Sequence, residues 1–230
     1  MGADMDINII TYAVPFLLTG AKTTLLIAVF GIGFGLPFGV LLALGRGAHN
    51  HVLRRICDIY CAIFRGTPML VQIFVIYYGL AQISFVRQNP ILWWMIGNGL
   101  HAAILAVILN TCAYTAEIFR SALLSLPRGL IEAAEACGMS GWHIFIRVKF
   151  PLALRQALPA YSSEVAIIVK ESSLASTITV LEITGYAKRL MSETFAIMDI
   201  FIITAAFYLA INVIALMALK FIERRLSFSR

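Results

Sequence analysis

Long apolar runs constrain this chain more than any other feature of its sequence. Residues 12–44 are almost continuously apolar, and further apolar segments cover 91–119 and 195–219. Hydrophobic residues make up 60% of the 230 positions and charged residues 13%, which is about half the charged share of a soluble domain. A helix of about 20 apolar residues is long enough to cross a bilayer. The sequence therefore predicts an all-α membrane protein.

We expect about five membrane-spanning helices in a single transmembrane domain, 1–230, without a separate soluble domain. An interfacial turn at 19–24 precedes the first span, and Pro68 predicts a break before the second. Residues 177–192 are too polar to span and are expected to fold back at the outer surface. The predicted spans are 23–44, a span that follows 64–72 and ends near Ile83, 91–119, a span that begins at 158–169 and is interrupted by 170–173, and 195–219.

Basic residues predict the orientation, because loops rich in Lys and Arg stay in the cytoplasm. Three segments are assigned to that side: the loop 46–55, the loop 120–155 and the C-terminal tail from Lys220. The opposite side then holds few basic residues, namely Lys22, Arg87, Lys188 and Arg189. This asymmetry predicts the N-terminus outside and the C-terminus inside. The acidic N-terminus lacks the basic region of a cleavable signal, so the first span is expected to remain as an anchor.

Several function classes find no support in the sequence. The formal charge of +6 comes from residues flanking apolar runs, so we expect a lipid environment and no nucleic acid partner. The four cysteines, at 57, 61, 112 and 137, are expected to be buried thiols, and the histidines are too dispersed for a metal site. Gly20-Ala21-Lys22-Thr23 departs from the phosphate-binding loop pattern. We therefore predict neither catalysis nor a cofactor in this chain.

Two short features predict how helices approach one another. Gly31, Gly33, Gly35 and Gly39 are small enough to let the first span pack closely against a neighbour. A polar interruption at 122–151 contains Glu132-Ala133-Ala134-Glu135-Ala136-Cys137-Gly138, a composition that favours helix. Pro151 is expected to stop any helix that reaches it. We interpret the interruption as a surface helix, with a nearly bare side at Ala133, Ala134 and Gly138, on which a soluble protein docks.

The spacing of this loop is more specific than its composition. Glu-Ala-Ala, three residues, Gly138, nine residues and then Val148-Lys149-Phe150-Pro151 resembles the EAA loop of permease subunits of bacterial ABC importers. Val148 and Phe150 stand where Ile and Leu are usual. In that family the loop forms the coupling helix, which fits a groove of the ATPase subunit. The resemblance implies ATPase coupling through Glu132, Ala133, Ala134, Gly138, Met139 and Ser140.

Two further stretches resemble polar amino acid permeases in particular. Arg65-Gly66-Thr67-Pro68 precedes an apolar span, as in the second core helix of those permeases, and we interpret it as a kink with a gating role. The stretch Asn110 to Arg120 is similar to Asn-Thr-x-Ala-Tyr-x-x-Glu-Ile-Phe-Arg, and it contributes Tyr114 and Glu117 as candidate pathway residues. An ordinary proline kink, and a simple Glu117–Arg120 surface pair, remain the alternatives.

Glu164 is the strongest candidate for contact with a transported solute. It lies inside a predicted span, where a carboxylate is costly unless it faces a cavity or a cation. Glu171 follows about two helical turns later on the same face. Tyr161, Ser163, Glu164 and Glu171 are therefore predicted to line a translocation path that attracts a cationic group. Pairing of Glu164 with Lys170 or with a neighbouring subunit is the competing interpretation.

Taken over nearly the whole chain, the resemblance implies a type I permease core of an importer for polar, basic amino acids such as histidine, arginine and lysine, or for opines. It implies a multi-pass protein of the bacterial inner membrane with four kinds of partner: an ABC ATPase dimer that binds ATP and Mg, a second permease (a copy or a homologue), a periplasmic binding protein and the small amino acid itself. Two alternatives stay open. One is an ion-coupled secondary transporter, and the other is a membrane scaffold that merely recruits a soluble protein.

Overall fold

The computed structural model describes residues 7–226, and within that range the regular structure is entirely helical. The acidic start of the chain and Arg230 of the basic tail, both used in the sequence predictions, lie outside it. The α-helices are α1 (Ile7–Arg46), α2 (His51–Gly66), α3 (Met69–Phe74), α4 (Ser84–Gln88), α5 (Pro90–Ile96), α6 (Gly99–Leu124), α7 (Arg128–Ala136), α8 (Gly141–Ile144), α9 (Phe150–Glu171), α10 (Ile183–Thr194) and α11 (Ile197–Leu226).

Helix α1 is continuous over 40 residues, so the turn predicted at 19–24 is wrong. The polar residues of that segment are accommodated within the helix. Thr19 donates its hydroxyl to the carbonyl four residues earlier, and Lys22 is exposed. Gly20 lies against the backbone of Glu182, where an added Cβ would be 2.8 Å from the carbonyl carbon. A contact from a distant part of the chain therefore explains this glycine, which the sequence alone presented as a break.

The predicted break at Pro68 is confirmed. Helices α2 and α3 meet there at a bend of 107°. Thr67, the residue before the proline, is extended, because the proline ring disfavours helical geometry at the preceding residue. Beyond α3 the chain continues through a π-helical turn, Val75–Gly79, and a short 3-10 helix that ends at Gln82.

The span predicted at 91–119 is wrong as a single helix. It divides into α5 and α6, which are separated at Gly97 and Asn98. Asn98 is extended, and its side chain accepts a hydrogen bond from the backbone N–H of Leu100. That bond satisfies one of the free N–H groups at a helix start, so Asn98 begins α6 as an N-cap. The capping signal was present in the sequence but lay inside an apolar run.

A close seam joins α1 to α6. Three of the four glycines predicted to allow close packing lie in it, at positions four residues apart along α1. An added Cβ there would come within 2.5 Å of a side-chain atom on α6, and the pairs are Gly31 with Val107, Gly35 with Thr111 and Gly39 with Thr115. Gly33 has nothing within 4 Å. The prediction of close packing is confirmed for three glycines and is wrong for Gly33.

The polar loop leads into α9 without the stop predicted at Pro151. Helix α8 passes through a π-helical turn, Phe145–Lys149, directly into α9. Pro151 follows the π-helical turn, in which the Phe150 N–H donates to the Phe145 carbonyl five residues earlier. The wider π turn accommodates the junction. Pro151 therefore lies within a continuous helical segment, and the expectation of a stop was wrong.

Helix α10 lies at the end of the bundle opposite α7, against the first half of α1. The α9 helix ends at Glu171, so the predicted interruption near Lys170 is confirmed. Glu182 then caps α10 through hydrogen bonds from the N–H groups of Thr184 and Gly185, and the Tyr208 hydroxyl donates to it at 2.6 Å. Burial raises the pKa of this fully buried carboxyl, and the three hydrogen bonds oppose that rise.

Three helices in the described range are long and apolar enough to cross a membrane, namely α1, α6 and α11. The bent pair of α2 with α3 and its continuation gives a fourth candidate. Helix α9 has 22 residues, but its polar and charged side chains leave it outside this group. The fold is an all-helical membrane bundle with three or four spans by length and composition, against the five expected.

Candidate functional site

The loop predicted as a docking surface forms α7, and its backbone explains the glycine of the motif. Gly138 has φ +76°, in the left-handed region that favours glycine. Its N–H donates to the carbonyl of Glu135 at 2.9 Å, and the N–H of Met139 donates to the carbonyl of Ala134 at 3.2 Å. These two bonds are the Schellman arrangement that closes a helix C-terminus. The spacing from Ala134 to Gly138 therefore places the glycine at the position where these bonds end the helix sharply.

The exposed side of α7 contains most of the predicted coupling residues. Glu132, Ala133, Gly138 and Ser140 are exposed, and Met139 is half-buried. Ala134 is 8% exposed and packs toward the bundle, so it supports the helix from behind. No atom lies within 4 Å of a Cβ built on Gly138, which leaves open space beside the helix end. The short helix α7 therefore exposes one side to the surroundings and packs the other side, through Ala134, toward the bundle.

Exposed apolar side chains accompany this surface, and the sequence reading did not select them. Leu130, Trp142 and Ile146 are 47%, 68% and 46% exposed. Trp142 stacks on Phe145, with ring centroids 6.1 Å apart. Cys137 is also exposed, so the expectation that all four cysteines are buried was wrong for this one. The sequence signal that could have identified these side chains was the presence of apolar residues inside an otherwise polar loop.

An ion-pair cluster lies at the same end of the bundle. Glu117 on α6 accepts from Arg46 of α1 and from Arg65 of α2, both at 2.7 Å. The Arg65 guanidinium also lies 5.8 Å from the ring centre of Tyr114. Two predicted groups therefore come together here, the gating residue Arg65 and the pathway residues Tyr114 and Glu117. Asp58 extends the cluster by accepting from Arg46 at 2.7 Å.

The simple Glu117–Arg120 pair is the weakest contact in this cluster. Their charged atoms are 3.9 Å apart, which is longer than the bonds from Arg46 and Arg65. Sequence reasoning missed Arg46 because its partner lies 71 positions away. Arginine and carboxylate residues at the ends of neighbouring apolar runs were the only sequence signal for the cluster. Glu117 thus joins α1, α2 and α6.

The corner between α2 and α3 has a polar network of its own. Gly66, Thr67 and Pro68 are exposed, whereas Gln72, one turn into α3, is buried. The Gln72 amide donates to the carbonyls of Phe64 and Thr67 at 2.8 and 3.0 Å. Asn110 of α6 donates to the Gln72 side-chain oxygen at 3.0 Å. The predicted kink residues are therefore connected to α6 from the inside.

The predicted pathway residues of α9 are only partly gathered. Glu164 and Tyr161 are 5% and 7% exposed, and Glu171 is half-buried. Ser163 is exposed and does not share their burial. Within residues 7–226 Glu164 has no ion pair, so the alternative pairing with Lys170 is not formed in this chain. Unlike the buried Glu182, which accepts three hydrogen bonds, the buried Glu164 carboxylate has no cationic partner within the described residues.

The described part of the chain contains no group of three side chains suited to hold a metal ion. What the fold does contain is a bundle of long apolar helices, an outward-facing short helix at one end and a buried carboxylate between them. These features define an all-helical membrane protein with a short exposed helix available for contact with another protein.

Comparison with known families identifies the class of this membrane protein. Residues 35–228 match the family described as binding-protein-dependent transport system inner membrane component, and the chain belongs to this family. It is a multi-pass permease of the inner membrane and a non-catalytic transport subunit, as the sequence predicted.

Relatives and a solved structure agree with this membership. The chain is 45% identical over 208 residues to the nopaline transport system permease protein NocM of Agrobacterium fabrum, covering 90% of this chain and 86% of NocM. It is 38% identical to the histidine/lysine/arginine/ornithine permease HisM of Salmonella typhimurium, covering 90% and 88%. A crystal structure of an amino acid ABC transporter with histidines matches with a TM-score of 0.86 at 29% identity, covering 98% of this chain and all of the other.

Proposed function

We propose that this chain is the permease subunit of an ABC importer for basic amino acids or opines. The relatives named above carry nopaline in one case and histidine, lysine, arginine and ornithine in the other. All of these solutes combine a carboxylate with at least one cationic group. The observation that carries the proposal is Glu164, which is 5% exposed and has no cationic partner in the described chain. A passing ammonium or guanidinium group would supply that partner.

Energy for transport enters through α7 in this proposal. A separate ATPase dimer binds ATP and Mg, and the exposed face of α7 sits in a groove of one ATPase subunit. Glu132, Ala133, Gly138 and Ser140 make the contact, Met139 lies at its edge, and Ala134 braces the helix from the bundle side. The Schellman end terminates α7 sharply at Gly138, so that Met139 and Ser140 follow directly at the edge of the contact. A periplasmic binding protein and a second permease, a copy or a homologue, complete the importer.

The proposed topology has five spans, with the N-terminus outside and the C-terminus inside. Helix α9 supplies the additional span, because a helix of 22 residues is about 33 Å long and matches the apolar thickness of a bilayer. Its buried polar residues face the bundle interior. Basic residues Arg46, Arg120, Arg128 and Lys149 then lie on the cytoplasmic side together with α7.

The translocation path in this proposal runs between α9 and the Glu117 cluster. Tyr161, Glu164 and Glu171 form its inner part, and Ser163 contributes only where a second subunit covers it. Tyr114, Glu117 and the corner residues 65–68 form the cytoplasmic gate. Opening of that gate requires the cluster of Arg65, Glu117 and Tyr114 to move relative to α9.

Uptake of radiolabelled arginine into proteoliposomes tests this function. With the ATPase, the second permease and the binding protein present, uptake is expected to require ATP, and Glu164→Gln is expected to lower it about tenfold or more. Glu193→Gln, which changes an exposed carboxylate on α10, serves as the control. Uptake driven by an ion gradient without any ATPase would instead establish the secondary-transporter alternative. If the Glu164→Gln variant takes up arginine at the wild-type rate, the proposed role of Glu164 in the translocation path is wrong.

A further inference from the structure

The corner between α2 and α3 contains a hydrogen-bonding deficit that the sequence itself creates. In a regular helix the carbonyl of Phe64 would accept from the N–H of residue 68, but that residue is proline and has none. The carbonyl of Thr67 also leaves the helix, because Thr67 is extended. Unpaired backbone carbonyls are costly where water is excluded, so the half-buried Phe64 in particular needs another donor for its carbonyl.

Gln72 supplies both donors from the first turn of α3. Its side-chain nitrogen lies 2.8 Å from the carbonyl of Phe64, 3.0 Å from the carbonyl of Thr67 and 2.9 Å from the Thr67 hydroxyl. That hydroxyl in turn donates to the carbonyl of Ile63 at 2.8 Å. One buried amide therefore replaces the bonds that the proline removes, and it does so only at this bend angle.

Asn110 fastens the same amide to α6. Its side-chain nitrogen donates to the Gln72 oxygen at 3.0 Å and reaches the carbonyl of Phe64 at 3.4 Å. Gln72 is 7% exposed and Asn110 is 5% exposed, so water does not compete for these bonds. Glu117 lies seven residues further along α6, on the same face as Asn110. It accepts a hydrogen bond from Arg65, on the α2 side of the corner.

We propose that the segment from Phe64 to Met69 is a fixed elbow and not a hinge, and that Gln72 and Asn110 are the positioning residues that fix it. The inference rests on the proposed function and changes how its gate works. The gate opens by movement of α2, α3 and α6 as one body, without a change of angle at Pro68. Because α6 continues through a short loop into α7, displacement of α7 moves the elbow with it and carries Arg65 along.

Flexing at Pro68 would break a compact set of buried bonds at once. Bending moves the carbonyls of Phe64 and Thr67 away from Gln72 together, and the Gln72 oxygen would lose its alignment with Asn110. Each group left unpaired without water carries its full desolvation cost. Rotation of the entire unit breaks none of them. The geometry therefore favours rigid movement.

A distance measurement across the elbow tests the proposal directly. Spin labels at Val52→Cys on α2 and Val75→Cys beyond α3 occupy exposed positions, in a Cys137→Ala background that removes the other exposed thiol. One permease per importer carries the labels. The distance is measured without nucleotide and in the ATP-bound, vanadate-trapped state. We expect one narrow distribution that is the same in both states, whereas a shift of several ångströms in the wild type would overturn the proposal.

Variants of the positioning residues Gln72 and Asn110 give a second readout. Gln72→Met and Asn110→Leu keep side-chain length and burial but remove the amides, and each is expected to broaden the distance distribution and lower uptake on the order of tenfold while ATP hydrolysis persists. Thr115→Val is the matched control, because this buried α6 hydroxyl makes no hydrogen bond to Gln72, Asn110 or the elbow. If Gln72→Met shows the same narrow label-distance distribution as the wild type together with normal uptake, the positioning role is contradicted.

The two proposals fail in distinguishable ways. If the unmodified importer shows no ATP-driven arginine uptake, the proposed function is wrong, and the label distance still reports whether the elbow is fixed. If uptake is normal but the elbow distance changes between the two trapped states, only the elbow proposal is wrong.

Discussion

Replacing Gly35 by alanine tests the seam between α1 and α6 quantitatively. The new Cβ would lie 2.5 Å from Thr111 Cγ2 and 2.7 Å from Thr111 Cβ. Carbon atoms in proteins pack at about 3.5–4.0 Å, so the two helices must separate locally by about 1 Å. Thr111 is buried and β-branched, which leaves its side chain little freedom to rotate away.

Gly33→Ala is the matched control, two residues away on the same helix. Nothing lies within 4 Å of its added Cβ. Both substitutions gain the same helix propensity, roughly 0.5–1 kcal/mol, so the comparison cancels that contribution. Overpacking a tight interface costs about 1–3 kcal/mol. We therefore expect Gly35→Ala to be less stable than Gly33→Ala by about 1–3 kcal/mol.

Equilibrium unfolding in mixed detergent micelles, followed by tryptophan fluorescence, measures this difference. The midpoint for Gly33→Ala should equal or exceed that of the wild type, and the midpoint for Gly35→Ala should be lower than both. Equal midpoints for the two alanine variants would refute the reasoning, because they would mean that α1 and α6 are not in contact at this level.

Two further outcomes follow from the backbone and from the buried polar groups. Gly138→Ala places a Cβ on a residue with left-handed backbone geometry, at a cost of about 1–2 kcal/mol, so the ATPase should co-purify less well. Gly141→Ala is the control: it has open space and no positive φ, so it should behave as the wild type. Tyr208→Phe removes a 2.6 Å hydrogen bond to the buried Glu182 and should lower the free energy of unfolding by about 1.5–3 kcal/mol; an unchanged unfolding midpoint would show that the bond contributes nothing.

Local sequence signals predicted the features that depend on neighbouring residues. Pro68 predicted the bend, because its ring acts on the residue before it and on the carbonyl four residues earlier. The composition of Glu132 to Ala136 predicted α7, and the position of Gly138 is explained by the Schellman bonds it makes. In each case the cause lies within about one helical turn of the residue concerned.

Features that depend on distant residues could not be predicted in this way. Gly20 resembled a helix break, but it provides room for the backbone of Glu182, more than 150 positions later. Arg46 resembled a membrane-flanking cation, but it bonds Glu117 on another helix. Pro151 resembled a stop until the π turn before it was known. A single sequence does not show which residues face each other, so these contacts required the fold.

The length of α1 has a consequence for how the protein sits in its membrane. Forty helical residues extend about 60 Å, whereas the apolar layer is about 30 Å thick and the full bilayer about 40–45 Å. Pro15 and Pro37 lie inside this helix, and even with bends at those positions its length exceeds the bilayer thickness. It must lean steeply or project beyond the lipid, and exposed side chains near its start, such as Tyr12 and Leu18, then need lipid or a second protein to cover them.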